Sequence, residues 1–132
     1  MGQGLYHIMP GVGVAIFLPV LLLATLRRAA LPGGWALAAL ASLLFAGWTI
    51  HTVTSMGPLA FWDEHVRNAW SNQIWLDLLC AGATAFILLA PRARAAGMLV
   101  PGWALFVVST GSVGLLAMLA RCLWLEARAP RT

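Results

Sequence analysis

Seven residues carry nearly all of the acid, base and ligand chemistry in this sequence: His7, His51, Asp63, Glu64, His65, Asp77 and Glu126. Five of them fall in one stretch, His51 to Asp77, the only long polar interruption in an otherwise apolar chain. Two neutral imidazoles, His7 before one apolar run and His51 at the end of the next, are the residue types that ligate a b-type haem axially. His7, His51 and His65 with Met9, Met56 and Asp63 offer nitrogen and soft donors for a transition metal, but without a compact ligand motif. A pigment of the chlorophyll type held by one histidine is a further option. The plainer reading, and the favoured one, makes His7 and His51 interfacial hydrogen-bonding residues. Glu64, His65 and Asp77 beside a tryptophan-lined rim have the groups for proton transfer on a lipidic or isoprenoid substrate. No serine-nucleophile motif and no phosphate-binding glycine loop accompanies them; Gly11 and Gly13 lie within an apolar run.

The elements that must position these groups are apolar helices. Of the 132 residues, 61% are hydrophobic and only 9% charged, against roughly 25% charged in soluble domains. The formal charge of +4 comes from arginine alone, because there is no lysine, which removes Schiff-base chemistry. The arginines sit beside apolar runs, as topology signals do, so nucleic acid is not an expected partner. Cys80 and Cys122 fall inside apolar runs and suggest neither a disulfide framework nor a zinc site.

The expected fold is an all-α integral membrane four-helix bundle, a single domain with spans at about 8–26, 35–52, 72–90 and 101–125, each near the ~20 residues that cross a bilayer. Pro19 should kink the first span. Leu31-Pro32-Gly33-Gly34 is a hinge, and Pro91 with Arg92 and Arg94 stops the third span. Ala38, Ser42 and Ala46 repeat at four-residue spacing and mark a packing seam on the second. Phe61 to Ala69 reads as a short interfacial helix.

Four crossings put both termini and the 51–72 loop on one side and the arginine hinges on the other. All histidines and carboxylates then share a side. Arginine counts flanking the first span favour hinges inside and both termini outside. Asp77, about five residues into the third span, and Arg121, near the end of the fourth, fall at similar depth. An Asp77–Arg121 ion pair, joined by Gln73, is therefore expected. His51, Asp63, Glu64 and His65 line the rim around it.

The run NAWSNQIWLDLL, a span ending in PRARAAGM, then a tryptophan, GSVGLL and a late arginine resemble a family of small bacterial membrane proteins known only as a domain of unknown function. The matching positions are Asn72, Asp77, Arg92, Arg94, Gly111, Ser112 and Arg121, within roughly residues 57–125. The chain departs from that family at the hinge, which has no acidic residue here, and in the first two spans. The resemblance implies three or four spans and no assigned activity. The expected function is a non-enzymatic accessory subunit or small-ligand-binding protein of a bacterial inner membrane, meeting a membrane protein partner or further copies of itself. A haem- or metal-binding redox component using His7 and His51 is the alternative, and a membrane enzyme the third.

Overall fold

The computed structural model describes residues 2–26 and 33–129. The described residues are all-α, with helices α1 (Gly2–Leu26), α2 (Gly34–Met56), α3 (Ala60–Val66), α4 (Ala69–Ala95), α5 (Val100–Thr110) and α6 (Ser112–Arg128). They divide into two compact units, Met1–Pro32 and Gly33–Thr132. The first holds α1 alone, which stays helical through both Pro10 and Pro19. Within α1, α2 and α4 lie three segments long and apolar enough to cross a membrane: Tyr6–Leu26, Gly34–Met56 and Ala69–Ala95.

In the second unit each helix end has a local cause. Gly57, with φ 93°, ends α2 ahead of Pro58, and its N–H donates to the Val53 carbonyl. Asn68 is extended and its side chain accepts from the Ser71 N–H at 2.9 Å, which caps the start of α4. Pro91 does not stop α4, contrary to expectation. Lacking an N–H, it gives up a single bond to the preceding turn, and the helix continues to Ala95. The stop comes at Gly97, φ 76°: Met98 N–H reaches the Ala93 carbonyl and Gly97 N–H the Arg94 carbonyl. That is the paired bonding of a Schellman motif, and Ala93 and Met98 are both buried in the same core cluster.

The largest departure concerns the expected fourth span. Residues 101–125 do not form one helix. α5 ends at Thr110, Gly111 takes φ 60° and ψ −128°, and α6 begins at Ser112. The chain reverses there. A Cβ on Gly114 would lie 2.9 Å from the Val107 Cα and 3.0 Å from the Phe106 carbonyl oxygen. In an unbroken helix, positions seven apart are separated by roughly 10 Å along the axis. At the other end of the hairpin, Met118 and Cys122, both fully buried, join Leu89, Ala90, Ala93, Met98 and Val100 in one core. α6 thus returns to the end of α4. The 11-residue α5 rises about 16 Å, near half of the ~30 Å of a hydrocarbon layer, and α5 and α6 form a helical hairpin.

α6 packs against α2, α5 and α4 and holds the unit together. Ala38 and Ser42 are buried in its seam with α2, as their spacing suggests, and Ala46 is half-buried. The Ser42 hydroxyl donates 2.9 Å to the Val113 carbonyl just below the reversal. From Thr49 to Met56 on α2 every residue is exposed, and from Leu76 to Leu88 on α4 none is buried. The hairpin therefore fills only the part of the unit near Gly97. The C-terminal end of α6 lies at that end too, which overturns the expectation that it shares a side with the 51–72 loop.

Gly111→Ala and Gly114→Ala are each expected to lower stability by about 1–3 kcal/mol, the first through backbone strain and the second through a clash with backbone. Gly47→Ala, in open space on α2, is expected to cause no loss. Unfolding of the purified protein in mixed dodecylmaltoside–SDS micelles measures all three.

Candidate functional site

The polar groups of the second unit collect at two ends. At the Asn68 end, α3 lies against the first turns of α4. His65 stacks on Trp75 with ring centroids 4.3 Å apart and planes at 23°, and Phe61 meets both rings at 6.1–6.2 Å. His65 is half-buried in this aromatic clip. Glu64 pairs with Arg67 at 3.3 Å, one helical turn away and well exposed, and such a pair contributes little to stability. Asp63 and Gln73 are exposed. His51 is exposed near the end of α2, its ring 5.6 Å from Trp48 on the same helix. His7 stands on α1 in the first unit and His51 in the second, and each unit is described by itself. Among the described residues no three His, Cys, Asp or Glu side chains group as a metal site.

The Asp77–Arg121 pair does not form. Asp77 lies about 27 Å up α4 from Ala95 at ~1.5 Å per residue, whereas Arg121 neighbours Cys122, which packs in the same core as Ala93 near the foot of that helix. Equal depth followed from a continuous fourth span, and the reversal at Gly111 removes that premise. Arg121 instead stands over the Trp124 ring, 4.6 Å from its centroid. Asp77 is exposed and belongs to neither of the two ion pairs found among the described residues. Directly below it on α4 comes an unbroken run of small residues, Cys80-Ala81-Gly82-Ala83-Thr84-Ala85, and a Cβ on Gly82 would meet nothing.

The second polar centre, at the Gly97 end, went unread in the sequence. Arg92 grips Glu126 in a fork, Nε donating to Oε1 at 3.1 Å and Nη2 to Oε2 at 2.7 Å. The Cys122 thiol lies 3.5 Å from Oε1. This fork ties the end of α6 to the end of α4. The hydrogen bonds from Arg92 hold the Glu126 carboxyl below its ordinary range, against some desolvation. The one signal in the sequence was the Gly111-Ser112-Val113-Gly114 cluster, which interrupts what otherwise reads as a span.

No family model matches the chain, and no curated protein or solved structure matches it.

Because the folded-state value for Glu126 is depressed, the fork's contribution is complete above the ordinary carboxylate range and is lost as pH falls through the lowered value. Both side chains are well exposed, so solvent screening holds the contribution below about 1 kcal/mol. Glu126→Gln is expected to cost that small amount near pH 7 and to flatten the acid limb of the stability profile below the ordinary carboxylate range. Thermal unfolding in detergent across that pH range checks it.

Proposed function

We propose that this chain is a small multi-pass protein of a bacterial cytoplasmic membrane that serves as a non-enzymatic accessory subunit. It docks to a partner membrane protein through the upper part of α4. The observation that carries the reading is Asp77. A carboxylate within a membrane span is costly unless paired or hydrogen-bonded, and none of the ion pairs among the described residues engages it. The small residues below it, from Cys80 to Ala85, would let a second helix approach closely, and close packing is what drives association between helices in lipid.

The partner is a different chain rather than a second copy. Two copies side by side in the same orientation would each bring Arg92, Arg94, Arg121 and Arg128 to the Gly97 end, far from Asp77. Arg67, the remaining arginine of the unit's described residues, is paired with Glu64. A partner helix with a basic or amide side chain at the depth of Asp77 supplies the pairing that no described residue gives it. The same arginine distribution supports placing the Gly97 end in the cytoplasm and the 57–68 segment outside.

Asp77→Leu separates a docking role from a folding role. Purified alone, the variant is expected to be as stable as the parent or more so, because it removes a carboxylate from an apolar span. In its native membrane the same variant is expected to fall several-fold in abundance, because an orphaned subunit is degraded. Unfolding in micelles and quantitative immunoblotting of membranes read the two effects. Equal abundance of variant and parent in the membrane would contradict the proposal.

A further inference from the structure

We propose that Arg121, Trp124 and Arg128 on α6 form a binding site for the phosphate of an anionic phospholipid headgroup. The three lie at positions i, i+3 and i+7, one above another on a single helix face. Both guanidinium groups stand over the same indole, Arg121 at 4.6 Å and Arg128 at 4.0 Å from the ring centroid. Stacking on an aromatic face orders a guanidinium while leaving its N–H edge free to donate, and that planar fork matches phosphate oxygens. Neither arginine has an ion-pair partner among the described residues. Glu126, the one carboxylate at this end among the described residues, is held by both oxygens in the Arg92 fork.

Depth selects a lipid over a free anion. Cys122 packs in the same core as Ala93, so this face of α6 emerges where α4 leaves the apolar layer. Tryptophan is enriched at that level, with its apolar body in the membrane and its N–H toward the headgroups. A lipid phosphate is held there at high local concentration, whereas a free anion must come from solution. The site rests on the hairpin and stands whether or not Asp77 meets a partner.

The test uses the full-length protein in dodecylmaltoside, titrated with short-chain phosphatidylglycerol or phosphatidylcholine, with bound lipid counted by native mass spectrometry. The parent is expected to retain phosphatidylglycerol preferentially. Arg121→Gln should weaken that binding about fivefold, and the Arg121→Gln/Arg128→Gln double variant more than tenfold, from the contribution of basic residues near anionic lipid. Arg67→Gln, at the opposite end, should change nothing. Circular dichroism of each variant confirms that it remains folded, and the single variant serves if the double one does not. Undiminished phosphatidylglycerol binding in Arg121→Gln would overturn the proposal. So would displacement of the lipid by an equal concentration of inorganic phosphate, which would make this a free-anion site.

Discussion

The second unit of this protein depends on a chain reversal at Gly111, between the apolar helix α5 and helix α6. Backbone polar groups in apolar surroundings must find partners within the protein, which is why irregular backbone is rare at membrane depth. Here the Gly111 N–H reaches the Val107 carbonyl, the Thr110 hydroxyl reaches that of Phe106, and Ser109 does the same to Leu105. From across the seam, Ser42 covers Val113. Two glycines make the geometry available. Gly111 takes a positive φ that side chains resist, and Gly114 leaves the space in which α6 passes Val107.

That reversal determines where charge collects. It returns Arg121, Glu126 and Arg128 to the end of α4 that already bears Arg92 and Arg94, leaving Arg67 as the only described arginine of the unit at the other end. The acidic groups distribute oppositely, with Asp63, Glu64 and Asp77 toward the Asn68 end and Glu126 locked into the Arg92 fork. The unit is therefore strongly polarised along its length. Because α5 rises only about 16 Å, the hairpin also stops short of the upper parts of α2 and α4. Asp77 sits beyond its reach, and the absence of an ion pair for it among the described residues follows from the same reversal.

Much of the helical framework is legible in the sequence. The apolar runs locate α1, α2 and α4, the Ala38–Ser42 spacing locates the seam with α6, and the Pro32-Gly33-Gly34 and Gly57-Pro58 signals locate two helix boundaries. The reversal is not legible by hydropathy, because residues 101–125 are mostly apolar and hydropathy does not record the direction of the chain. Gly111 also lacks a side-chain cap that would announce a new helix, since a glycine supplies none. The expected Asp77–Arg121 pair fails on topology, since the reversal places Arg121 near the foot of α4 and far from Asp77. Pro91 does not end α4 because a proline near a helix end costs little, and the Schellman motif at Gly97 supplies the stop.

The most direct measurement is the sidedness of single cysteines in intact cells, using a membrane-impermeant maleimide on a Cys80→Ser/Cys122→Ala background. Leu59→Cys reports the connection between α2 and α3, Ala95→Cys the end of α4, and Ala129→Cys the end of α6. A re-entrant hairpin with its arginine-rich end inside expects labelling at 59 in intact cells, with 95 and 129 both protected until the cells are opened. Labelling of 59 and 129 together, with 95 protected, would mean that residues 101–125 cross the membrane as one span, and would contradict the account.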